Sequence, residues 1–226
     1  MFRHVPNAIT GSRLLLAAVF FVLLGLYQHS GRGDPLLLNM AFAVYLVALV
    51  SDFLDGYLAR KWQVEGAFGR VVDPFVDKVL VLGTFIFFAG KNFVIQKAVA
   101  PVPVVQTITG VAPWMVVLIL ARELLVTSLR GQGEASGVNF GAAWSGKVKM
   151  VLQSVTILVI LLYVNYFEVR SGDVELYARW FRNGCIWATI VFTLYSGAGY
   201  VRRGVLLYQS RPVERTGEGR GLGTRR

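Results

Sequence analysis

The sequence predicts an all-α, polytopic integral membrane protein with six transmembrane helices around a polar, cytoplasm-facing cavity. Three observations predict it. Apolar residues make up 55% of the 226, and the mean hydropathy is +0.56. Apolar stretches recur at the length needed to cross about 30 Å of hydrocarbon. Carboxylates and cations lie inside those stretches, and lipid does not tolerate them, so the helices must face one another across shared polar space.

The spans read in order as roughly 8–28, 36–60, 69–90, 112–130, 146–166 and 184–207. The first carries Asn7, Thr10 and Arg13 and is followed by no small-x-small cleavage site, so it reads as mature structure. The second and third carry most of the chain's intramembrane acids. Between the third and fourth, the 91–112 stretch holds Pro101 and Pro103 and runs into Pro113, which predicts a short irregular interfacial segment on the outer surface. The fourth span includes Ala121-Arg122-Glu123 and Arg130, the fifth opens on Gly146-Lys147-Val148-Lys149, and the sixth holds Cys185 among apolar neighbours.

Residues 1–208 then form one membrane domain, and 209–226 a polar, Gly- and Arg-dense tail without fixed structure. Lys and Arg concentrate at the N-terminus, the 60–70 turn, the 122–149 region and the tail, which places both termini in the cytoplasm. The net charge of +10, with seven arginines from Arg202 to Arg226, points to anionic membrane lipid as a partner. A tail tethered at a bilayer favours lipid over nucleic acid. The single cysteine, Cys185, excludes an intrachain disulfide.

The most informative pattern is Asp52-x-x-Asp55-Gly56-x-x-Ala59-Arg60, then eight residues, then Gly69-x-x-x-Asp73-x-x-x-Asp77. Three- and four-residue steps put each set on one helical stripe. Four carboxylates aimed at one point within a membrane repel one another unless cations neutralise them. All-oxygen ligation suits Mg²⁺ or Mn²⁺, and four acids can hold two such ions. Pairing with Arg60 or Lys78, or proton carriage in a cation-coupled transporter, would use the same acids. A transporter is expected to show inverted repeats and broken helices, and the sequence shows neither.

This spacing resembles the signature of the CDP-alcohol phosphotransferases, D-x2-D-G-x2-A-R-x8-G-x3-D-x3-D, with every fixed position filled. The resemblance implies an enzyme that displaces CMP from a CDP-linked lipid with an alcohol. It implies Asp52, Asp55, Asp73 and Asp77 as metal ligands and Asp77 as the base. Gly56, Arg60, Asp55 and Gly69 would serve the nucleotide. A homodimer is implied as well.

The acceptor must be read from other residues. Asn7, Thr10 and Arg13 lie three apart on one face near the cytoplasmic border. Arg122 and Arg130 share a second face, and Lys147 and Lys149 open the fifth span. Cations bordering an acidic metal centre suit an anionic acceptor such as a phosphate monoester; flanking charge that sets topology is the bland alternative. With P-N-x-x-T-x-x-R, A-R-E and G-K-x-K, the chain is similar to the bacterial phosphatidylglycerophosphate synthase branch of the family. That resemblance implies CDP-diacylglycerol and sn-glycerol 3-phosphate as substrates, an inner-membrane location, and Arg122, Arg130, Lys147, Lys149, Thr10 and Arg13 around the acceptor phosphate. Met150, where the branch usually carries Thr, and the long 91–112 segment depart from its pattern. Phosphatidylglycerol, inositol phosphate and serine are the competing acceptors.

Overall fold

Helices form wherever the apolar periodicity runs on, and six long ones appear: α1 (Val5–Leu26), α2 (Pro35–Trp62), α3 (Ala67–Phe88), α4 (Pro113–Ala135), α5 (Trp144–Leu162) and α6 (Asp173–Gln209). They were obtained in a computed structural model that describes residues 5–29, 33–62, 67–97, 104–135, 144–168 and 172–209. Pro35 and Pro113 open α2 and α4, at the first helical position, where a missing N–H breaks no bond. A π-helical turn, Tyr163–Phe167, extends α5.

Two expectations need correction. The 91–112 segment is not irregular throughout: a 3₁₀ turn at Lys91–Phe93 leads into an antiparallel ribbon of β1 (Val94–Lys97) and β2 (Val104–Thr107), with Val94 opposite Thr107 and Lys97 opposite Val104. The prolines drew attention away from the β-branched Val-Ile and Val-Val pairs that build the strands. Pro101 and Pro103 lie outside the described residues.

The sixth helix also begins at Asp173 rather than near 184. Charged residues interrupt the hydropathy there without interrupting the helix. Asp173 and Glu175 occupy its first turn, where the helix dipole favours anions. Arg182 is buried, donates to the Ile108 carbonyl at 2.5 Å, and lies 4.1 Å over the Tyr163 ring. The Tyr163 hydroxyl donates to Glu175 at 2.8 Å.

The same end of the molecule ties its helix termini together. Asn92 donates to the carbonyls of Leu24 and Gly25, both at 3.1 Å, and Thr109 donates to that of Phe88 at 2.7 Å. These are C-terminal carbonyls of α1 and α3, which have no partner inside their own helices. Gly110 (φ 74°) lets the chain turn under Arg182.

In packing, α1 lies against α2 and α3, and α6 against α4 and α5; α2 and α3 meet α5, and α3 meets α4. The core between them is aromatic and aliphatic, with Phe20, Tyr45, Phe85, Phe88, Ile157 and Ile160 buried.

Around this apolar core the outer surface is apolar as well, and polar side chains are held inside. Leu15, Val22, Val117, Leu124, Val151 and Val191 are exposed, while Arg13, Arg122, Lys149, Gln153, Ser154, Thr156, Thr189 and Ser196 are buried. An apolar exterior, with the polar side chains turned inward, is what hydrocarbon solvent selects. Among the described residues, three segments are long and apolar enough to cross a membrane: Pro35–Asp52, Gly146–Phe167 and Asp173–Gly204.

Candidate active site

Among the described residues, two further polar groups lie at the other end of the helices from Arg182, one on the first three helices and one on the last three. In the first, Arg13 of α1 reaches across to α2 and α3. Its Nη2 lies 2.9 Å from the Asp52 carboxylate and is also hydrogen-bonded to that of Asp77. Arg13 is only 5% exposed, and a buried guanidinium is stable only with such counter-charge. Hence two of the four signature aspartates, from different helices, converge on one positively charged atom.

Both helices continue through the rest of the signature, so Asp55, Gly56 and Arg60 fall on α2, and Gly69 and Asp73 on α3. Their side chains, and that of Thr10 on α1, lie outside the described residues. Arg13, expected beside an acceptor phosphate, is with the aspartates instead.

The second group is built on α4. Arg122 donates to the Glu123 carboxylate at 2.6 Å and to Ser196 of α6 at 2.6 Å. Lys149, one face of α5 away, donates to the same Glu123 oxygen. Arg130, two turns beyond Arg122, donates to the Tyr200 hydroxyl of α6. The Tyr200 ring lies 5.8 Å from the Arg122 guanidinium carbon and 5.1 Å from that of Arg130, within cation–π range of both. The Nε atoms of Arg122 and Arg130 and the Nε2 of Gln153 are buried with no hydrogen-bond partner among the described residues. Such donors call for an acceptor that none of the described residues provides.

Lys147, expected with this group, is exposed on α5 and does not join it. Three residues that sequence reasoning missed do: Ser196, Gly197 and Tyr200. Gly197 lets α6 approach so closely that a Cβ there would sit 3.2 Å from Arg122 Cγ. The signal was present in Ser196-Gly197-Ala198-Gly199-Tyr200, a polar, small-residue run inside an otherwise apolar crossing.

The two groups are joined across α3 and α4. Lys78, next to Asp77, donates to the Thr127 hydroxyl at 2.7 Å, and Thr127 donates to the Glu123 carbonyl at 2.7 Å. That bridge sets the Asp77 turn against the α4 stretch between Arg122 and Arg130. A groove of about 620 Å³ lined by Leu176, Arg179, Trp180, Asn183, Gly184 and Trp187 lies at the other end of α6 and shares no residue with either group.

Carboxylates beside a largely buried, donor-rich cationic cluster suit the handling of phosphates, and comparison with known proteins agrees. Residues 3–195 match the family described as CDP-alcohol phosphatidyltransferase. A Bacillus subtilis (strain 168) protein named CDP-diacylglycerol--glycerol-3-phosphate 3-phosphatidyltransferase is 28% identical, over 87% of this chain and 93% of its own. A Cereibacter sphaeroides protein of the same name is 27% identical, over 88% and 94%. A Mycobacterium tuberculosis (strain H37Rv) protein named "Probable phosphatidylglycerophosphate synthase" is 32% identical, over 88% of this chain and 81% of its own. With its family match running from residue 3 to residue 195, most of the chain, this protein is an enzyme that belongs to the CDP-alcohol phosphatidyltransferase family.

Proposed function

We propose that the chain transfers a phosphatidyl group from CDP-diacylglycerol to sn-glycerol 3-phosphate, releasing CMP and forming phosphatidylglycerol phosphate. The observation that carries the acceptor is the group of buried Arg122 and Lys149 with half-buried Arg130, whose cations outnumber the one carboxylate, Glu123, found among them in the described residues. Such an excess is costly to bury without an anion. An uncharged alcohol would leave it unpaired, whereas a phosphate monoester supplies acceptors for the orphaned Nε atoms. The names of the Bacillus and Cereibacter relatives specify the same two substrates.

In this reading Asp52, Asp55, Asp73 and Asp77 hold two divalent ions, Mg²⁺ or Mn²⁺. Support comes from Asp52 and Asp77, two hard oxygen donors that already meet at one cation, the Arg13 guanidinium. When bound, the ions supply charge stabilisation for the diphosphate and the CMP leaving group.

The remaining work falls to side chains. Arg122, Arg130 and Lys149 hold the acceptor phosphate and so direct its free primary hydroxyl toward α3. Asp77 accepts the hydroxyl proton as the oxygen attacks the phosphorus that carries the diacylglycerol. The new P–O bond forms as the bond to the CMP oxygen breaks. Gly56 and Gly69 let the nucleotide approach the backbone, and Arg60 pairs with its phosphate.

All six helices would cross the inner membrane, with residues 1–208 as the catalytic domain and the 209–226 tail in the cytoplasm on anionic lipid. Exposed indoles support the crossing. Trp114 stands at the entry end of α4, its ring centroid 5.9 Å from that of Trp187 of α6, and Trp144 opens α5; exposed indoles of this kind form the aromatic belts of membrane proteins.

The test is purified protein in mixed micelles with labelled CDP-diacylglycerol, a divalent ion and each acceptor in turn. Glycerol 3-phosphate should give phosphatidylglycerol phosphate and stoichiometric CMP, and glycerol almost none. Equal or better use of phosphatidylglycerol, inositol phosphate, serine or glycerol would reject this acceptor.

A further inference from the structure

We propose that Tyr200 of α6 is a positioning residue for acceptor binding: it gathers Arg122 and Arg130, two turns apart on α4, into one phosphate-binding unit. The inference rests on the acceptor reading above. Eight residues of helix separate the two Cα atoms by about 12 Å, and two like charges on one helix face repel. Their guanidiniums nevertheless approach a single ring, at 5.8 and 5.1 Å from its centroid.

Tyr200 can do this because it presents two kinds of contact. The electron-rich ring attracts both cations, and the hydroxyl accepts from Arg130 Nη2. Ser196, one turn earlier on α6, takes Arg122 Nη2 at 2.6 Å. The α6 face therefore occupies one edge of each guanidinium, and both Nε atoms remain buried and unpartnered among the described residues. Tyr200 itself is 2% exposed, so the ring is fixed by packing. Gly146, at the head of α5, leaves room beside this pair: a Cβ there would be 3.7 Å from the Tyr200 oxygen and 3.9 Å from Arg130 Nη2.

Arginine loses less entropy on binding phosphate when its fork is already held. A positioning role thus predicts a loss confined to the acceptor. Tyr200→Phe keeps the ring and removes the hydroxyl. It should raise the KM for glycerol 3-phosphate about ten-fold, the worth of one hydrogen bond to a charged group, leaving kcat and the KM for CDP-diacylglycerol within about two-fold. Tyr200→Leu, which removes the ring as well, should raise the acceptor KM further, and Ser196→Ala should act in the same direction through Arg122.

Thermal unfolding in detergent and direct binding of labelled glycerol 3-phosphate accompany the kinetics, so that a folding defect in the leucine variant leaves the phenylalanine and alanine variants to decide. An unchanged acceptor KM in Tyr200→Phe, or equal rises in both substrate constants, overturns the assignment. The acceptor reading falls on a different observation, made on the wild-type enzyme alone: transfer to glycerol as readily as to glycerol 3-phosphate.

Discussion

Under the proposed mechanism, removing one charge at Asp77 should separate proton abstraction from binding. In Asp77→Asn the amide keeps the shape and one oxygen but cannot take a proton, so kcat should fall by about 10²- to 10⁴-fold. Metal-dependent CDP binding, measured by calorimetry, should persist. Turnover near that of wild type at saturating Mg²⁺ would remove Asp77 as base. On the acceptor side, Lys149 and Lys147 form an internal control. Lys149 is buried on Glu123 and Lys147 is exposed. Lys149→Ala should raise the glycerol 3-phosphate KM by roughly ten- to a hundred-fold, and Lys147→Ala should leave it within about two-fold. Helix periodicity could group the cations of α4 and α5 by face, but it could not say which side chains stay inside. Nor could it show that Arg13, three residues after Thr10, reaches over to the aspartates of α2 and α3: that contact depends on how helices pack, not on how each one repeats.

At the scale of elements, α6 does two jobs the hydropathy did not reveal. Its first half anchors the ribbon segment through Arg182, and its second half supplies Ser196, Gly197 and Tyr200 to the cationic group. Gly110→Ala should test the anchor. The residue sits at φ 74°, and a Cβ would lie 3.0 Å from the Arg182 guanidinium, so left-handed strain and crowding together should cost about 1–3 kcal/mol. A lower melting temperature in detergent with nearly unchanged KM values is the expected result, because the anchor is at the far end of α6 from the site. Gly197→Ala makes the converse case. Its Cβ would press on Arg122 Cγ at 3.2 Å, so the acceptor KM should rise several-fold while thermal stability changes little; an unchanged KM would mean that Arg122 can shift without consequence. The six helices were legible because long apolar runs with three- and four-residue polar spacing admit little else. The early start of α6 and the ribbon were not, because buried partners outweighed local composition: Glu175 with Tyr163, and Arg182 with Ile108.

Across the whole molecule the proposed mechanism divides its chemistry between two sets of helices. The signature aspartates belong to α2 and α3, with α1 supplying Arg13; the cations and their tyrosine belong to α4, α5 and α6. Chelation should expose that division. EDTA should abolish CMP release, with recovery on adding Mg²⁺ or Mn²⁺, yet labelled glycerol 3-phosphate should still bind, since its phosphate contacts are side-chain cations. Loss of acceptor binding on chelation would mean that the two groups operate as one.

The division also follows the order of the chain. The first three helices pack mainly among themselves, the last three likewise, and the sets meet where α2 and α3 touch α4 and α5. The covalent link between them is the 89–112 segment, whose ribbon lies at the end of the molecule remote from both polar groups. Backbone continuity there contributes proximity rather than chemistry. Two fragments divided within residues 98–103 and expressed together in one membrane should therefore find each other and recover transfer activity, the α1–α3 fragment carrying the aspartates and the α4–α6 fragment the phosphate pocket, with neither active alone.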